Sequence, residues 1–95
     1  MHDPDFYLRN LERLQEYTDV TDETRQRFTR WLGESLAWAI REHLAGRPVH
    51  AMRGLLQAKE YLGRIGGFYP TPVTHDAAIA LQNAIEDDLR KAGAS

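Results

Sequence analysis

Cysteine is missing from this chain, which excludes a disulfide framework and any thiolate chemistry and suits a reducing compartment. Long apolar runs are missing too. No stretch approaches the roughly 18 consecutive apolar residues that a membrane span requires. The opening residues Met1-His2-Asp3-Pro4-Asp5 lack the basic and apolar blocks of a signal peptide, so the expected setting is cytoplasmic, with no membrane partner. There is no alternating strand pattern, no internal repeat and no low-complexity tract.

Motifs that carry chemistry are equally scarce. The four histidines, His2, His43, His50 and His75, never fall in a His-x-x-x-His pairing, so the expectation is no metal and no cofactor, with His43 read as a buried, hydrogen-bonded residue. Ser35 sits between Trp31 and Trp38 without a Gly-x-Ser-x-Gly elbow, and reads as a small residue that lets helices approach. Gly63, Gly66 and Gly67 follow a helix and have no Lys-Ser/Thr after them, which fits a helix end and not a phosphate loop. The acidic run Glu86-Asp87-Asp88 reads as a solvated helix face. No catalytic residue emerges, and the chain is expected not to be an enzyme.

What the sequence does contain is helix. At 95 residues it is a single domain, and a chain of this size buries only about 60 to 65% of its unfolded surface. With 42% hydrophobic and 27% charged residues it falls in the globular range and outside the disordered one. The organising stretch is Thr21 to Gly46. Stepping 100° per residue places Phe28, Leu32, Leu36, Ala39, Ile40 and His43 in one arc, which Trp31 and Trp38 extend on one flank. Arg27, Arg30, Glu34 and Arg41 fill the opposite side. Thr21 is suited to cap the first turn, and Gly46 before Arg47-Pro48 supplies a stop.

Three further helices flank it. A first runs from an Asp3 cap with Pro4 at its first position to about Tyr17, carrying Tyr7, Leu8, Leu11 and Leu14. A third starts at Pro48 and ends at Gly66-Gly67. Ala51, Leu55, Ala58, Leu62 and Ile65 form its heptad seam, widened by Met52 and Leu56, with Arg53, Gln57, Glu60 and Arg64 on the wet face. After the proline-containing loop Phe68-Tyr69-Pro70-Thr71-Pro72-Val73, expected to fold back as a lid, Thr74 caps a last helix with the stripe Ala78, Leu81, Ile85 and Leu89.

The predicted fold is therefore all-α: a compact, mostly antiparallel bundle of four helices over residues 1–95, with a proline-containing loop before the last. Helices one to three are expected as antiparallel neighbours, with the fourth returning across them. A less regular orthogonal array is the alternative.

Charge divides the chain unevenly. Residues 1–23 carry -5, residues 24–64 carry +5 and residues 65–95 carry -2, so a basic middle is framed by acidic ends that are expected to help neutralise it. Two readings follow. The first is a non-enzymatic interaction module, a regulator, inhibitor or assembly subunit, that docks on another protein or on itself through Trp31 and Trp38 with Arg27, Arg30 and Arg41. The alternative is nucleic-acid binding through Arg27, Arg30, Arg41, Arg47, Arg53 and Arg64, against which the net charge of -2 argues.

The phrase Ala58-Lys59-Glu60-Tyr61-Leu62-Gly63-Arg64-Ile65-Gly66-Gly67-Phe68-Tyr69 resembles the Leu-Gly, then Gly-aromatic helix end of some phage small terminase subunits. The resemblance covers about an eighth of the chain. It implies a phage or mobile-element setting and a helical oligomerisation region. The DNA-binding helix-turn-helix that precedes that region in the family is not recognisable here.

Overall fold

The computed structural model describes residues 1–16, 23–65 and 72–93. Four helices account for nearly all of them: α1 (Pro4–Glu16), α2 (Glu23–Leu44), α3 (Pro48–Ile65) and α4 (Pro72–Lys91). No strand occurs among the described residues. The fold is an all-α bundle, as the periodicity predicts, and no described helix is long and apolar enough to cross a membrane.

The helix ends follow local chemistry. At the start of α1 the Asp3 side chain accepts from the Asp5 amide at 2.9 Å while its carbonyl accepts from Phe6, and Pro4 occupies the position that needs no donor. At the end of α2, Gly46 adopts φ 76°, and the amides of Gly46 and Arg47 turn back to the carbonyls of His43 and Glu42. That pair of bonds is a Schellman closure, which a side chain with a Cβ would strain at the glycine. Thr21 as a cap, Gly66-Gly67 as a stop and Phe68-Tyr69 as a lid lie outside the described residues.

The start of α4 departs from expectation. The helix begins at Pro72 rather than after Thr74, because proline is tolerated in a first turn whose amides have no helical acceptor. Thr74 is consequently buried inside the helix, and Val73, expected in a lid over the core, is largely exposed.

α2 and α3 form an antiparallel pair with by far the most extensive contact in the molecule. Phe28 lies near Tyr61 at one end and Trp38 near His50 at the other. Their separation is set midway. A Cβ built on Gly54 would come within 2.8 Å of the Ala39 Cβ and 3.0 Å of its Cα, so only glycine allows this approach. The expected seam of Ala51, Leu55, Ala58, Leu62 and Ile65 is buried, and all of it but Ala51 joins the core that holds Leu32, Leu36 and Ala39. Leu56 does not widen it; it is exposed.

α1 and α2 touch only lightly, with Leu11 beside Gly33, whereas α1 packs chiefly on α4. The expected hairpin of the first two helices is thus the weaker pairing. α1 packs on α4, where Tyr7 finds its hydrogen-bond partner and where Ala77, Ala78 and Ala84 are buried in the common core. With so few covering elements, α1 buries only a narrow strip, and Leu8 lies outside it. His43 was expected to be buried and is exposed instead. α2 runs on past its last buried residue, Ile40, beyond the helices that would cover it, and Leu44 is 72% exposed.

Candidate docking surface

The outer groove of the α2–α3 pair gathers most of the predicted site. Because Gly54 has no side chain, the Trp38 indole lies across α3 at that point, its ring 2.9 Å from where a Cβ would stand. His50 stacks on the same indole at 6.0 Å with planes 22° apart. Two turns earlier on α2, Trp31 meets Phe28 edge-on at 5.6 Å and Tyr61 at 5.7 Å. Between the indoles lies a cleft of about 180 Å³ lined by Trp31, Glu34, Ser35, Trp38, Gln57 and Tyr61. Both tryptophans are half-buried.

Arginine borders this aromatic row. The Arg27 guanidinium sits over the Trp31 ring at 6.0 Å and that of Arg64 over Phe28 at 5.9 Å, which is the cation–π arrangement. Arg41 is exposed three residues beyond Trp38, and Arg30, also exposed, stands over no ring of the row. The structure therefore brings together Arg27, Trp31 and Trp38, leaves Arg41 at the margin and sets Arg30 apart.

The residues of the nucleic-acid alternative divide as well. Arg47 is bonded to Glu42 and Arg64 to Glu60, so the two acids that quench them come from the basic segment itself. Hydrogen bonding from Arg47, with smaller help from His50, holds the Glu42 carboxyl below its usual range. Lys59, 3.9 Å from Glu86, reaches from this segment to a terminal helix. Arg27, Arg30, Arg41 and exposed Arg53 have no carboxylate partner among the described residues.

Sequence reasoning missed the second polar centre of the molecule. Asp88, expected in a solvated run, is 4% exposed. Its carboxylate accepts from the Tyr7 hydroxyl and, at 2.8 Å each, from the His2 amide and His2 Nδ1. Burial works to raise this carboxyl, but the hydrogen bonds from Tyr7 and His2 outweigh it, and the group titrates below the ordinary carboxylate range. Burial first, and then the neighbouring carboxylate, push the Tyr7 phenol well above its usual value. The signal was present in the sequence. Asp88 lies seven residues from Leu81 and four from Ala84, on the buried side of α4, and a tyrosine on an apolar stripe needs somewhere to place its hydroxyl.

His2, Asp87 and Asp88 hold donor atoms within 4.8 Å of one another. Every one of these carboxylates is already engaged, however. Asp87 is drawn below its usual range by Lys91 and then Arg90, at 3.1 and 2.9 Å, and Asp88 by the bonds just described. The cluster acts as a knot that fastens the N-terminal residues to the end of α4. An open hollow of about 610 Å³ beside it, lined by His2, Phe6, Ala80, Asn83 and Arg90 among others, holds the ring pair His2–Phe6 but no tryptophan, and its arginine is paired with Asp87.

Fold and surface together define a small all-α bundle with one aromatic, arginine-bordered groove. No protein-family model matches the chain, and no curated protein or solved structure matches it either, so any functional reading rests on the groove itself.

Proposed function

We propose that this chain is a non-enzymatic protein–protein interaction module, acting in the cytoplasm as a regulator, an inhibitor or an assembly subunit, and docking through the outer groove of α2 and α3. The observation that carries the reading is the pair of half-open indoles, Trp31 and Trp38, on either side of a cleft shared with Tyr61. Tryptophan, tyrosine and arginine are the residues that dominate binding hot spots, because they bury large area at small entropic cost. A non-enzymatic role is supported by the fate of the strongly perturbed groups: Tyr7 and Asp88 satisfy each other in a buried hydrogen bond.

The test is a photoreactive side chain at Gln57, an exposed residue lining the cleft, and a control at Gln82 on α4, both introduced in the native host. A polypeptide adduct formed from position 57 alone, and lost with Trp31→Ala or Trp38→Ala at unchanged helical content, is the expected result. Adducts to nucleic acid, or equal adducts from both positions, would count against it.

Nucleic-acid binding, as in a phage DNA-packaging small subunit, is the second reading. It is favoured by the four arginines Arg27, Arg30, Arg41 and Arg53, which lack carboxylate partners among the described residues. Phosphate contacts would make affinity fall steeply with salt, whereas docking on apolar surface would change little.

A further inference from the structure

We infer that the groove takes an acidic amphipathic helix of a partner protein, laid along α2 and α3 as a third helix of that layer. The inference rests on the docking reading above and adds the partner's chemistry.

Shape supplies the first argument. Two antiparallel helices of 22 and 18 residues, pressed together at Gly54, leave on their outer side a furrow whose middle is the cleft between Trp31 and Trp38. Its two aromatic stations, Trp31 with Tyr61 and Trp38 with His50, stand seven residues apart on α2, or about 10.5 Å along the axis. A guest helix presents one side chain per heptad at that same interval, so apolar anchors at i and i+7 meet both stations at once.

Charge supplies the second. Between residues 23 and 65 there are eight basic and four acidic side chains, and two of those acids, Glu42 and Glu60, are already paired with Arg47 and Arg64. Of the arginines without a carboxylate partner, Arg27 lies at one end of the furrow and Arg41 and Arg53 toward the other. The centre holds indole, phenol, Ser35, Gln57 and a single acid, Glu34. The complementary guest is apolar in its middle and carries carboxylates toward its ends. A phosphate backbone fits less well, since its charge is continuous and would meet Glu34 and the indole faces at the centre.

The test uses two labelled peptides of about 18 residues with identical leucine anchors at heptad spacing, one flanked by glutamates and the other by lysines. Single- and double-stranded 20-mer oligonucleotides complete the set, and binding is read by anisotropy and tryptophan emission. The glutamate peptide should bind at least tenfold more tightly than the lysine peptide, and Arg27→Glu combined with Arg53→Glu should erase that preference. Trp38→Ala should abolish binding. Because Trp38 also packs on Gly54, the exposed Gln57 provides a check that spares the fold: Gln57→Glu should weaken the glutamate peptide and Gln57→Lys strengthen it, each about threefold.

Equal binding of both peptides, lost in Trp38→Ala, would overturn the acidic partner and leave the docking face standing. Oligonucleotide binding without peptide binding would overturn both. Failure of every probe, or a self-associated protein whose groove is shielded by a second copy, would overturn the acidic helix as its occupant.

Discussion

Between α2 and α3 the contact depends on an absent side chain: Gly54 faces Ala39, and the two backbones come close enough for a tryptophan to lie across the join. Between α1 and α4 it depends on a buried charge, with Asp88 gathering Tyr7 and two groups of His2. The first half is closed by packing at its centre and leaves its outer face aromatic and bordered by arginine. The second uses its polar groups up internally. The contrast teaches that these two kinds of helix contact leave different surfaces behind, and that the surface suited to binding is the one whose interior is held by shape alone.

The severest way to break this contrast is to give Gly54 a side chain. Gly54→Leu places a Cβ against the Ala39 backbone, which cannot rotate away, and should cost about 3 kcal/mol or more in urea unfolding. A loss below about 1 kcal/mol would show that the helices separate easily and that closeness is not what holds them.

Next comes Asp88→Ala, which removes the acceptor of three hydrogen bonds and leaves the Tyr7 hydroxyl buried without it. A loss of about 3 kcal/mol is expected by the same measurement.

Acid sharpens the same point. The folded Asp88 carboxyl lies below its unfolded value of about 3.9, so its contribution is complete well above that value and disappears as pH falls through it toward the lower folded value. The stability gap between wild type and Asp88→Asn should therefore shrink between pH 6 and pH 2.5. A constant gap would mean that the charge is not what matters. Tyr7 has the opposite sign. Its raised phenol contributes fully below about pH 10, and that contribution is lost as the solution becomes more alkaline.

Smaller still, Tyr7→Phe should cost about 1 kcal/mol, since Asp88 keeps both bonds from His2. At the bottom of the scale, Leu44→Gln should change stability by less than about 0.5 kcal/mol, because that leucine lies past the last covered turn of α2. A large effect there would reveal a cover over this end of the bundle.

Helix identity was legible because it is a local matter. Asp3 with Pro4, Gly46 before Pro48 and the seam of α3 each act through neighbours within a turn or two, and periodicity reports them directly. The groove was half legible. Trp31, Trp38 and Arg27 declared themselves by spacing on one helix, whereas Tyr61, His50 and Phe28 join them only because α3 runs antiparallel at that particular register. Gly54 carried a faint signal, since glycine inside a helix costs stability unless something needs the space.

By itself, then, the sequence determined four amphipathic helices, where most of them begin and end, and which stripe of each turns inward, because hydrogen bonding and burial along a helix depend on residues three or four apart. Only the tertiary structure decided that α1 rests on α4, that Asp88 is sealed inside while His43 is left in water, and that aromatic side chains from two helices share one groove. Those outcomes depend on which helices meet and at what distance, and that distance is fixed by side chains far apart along the chain.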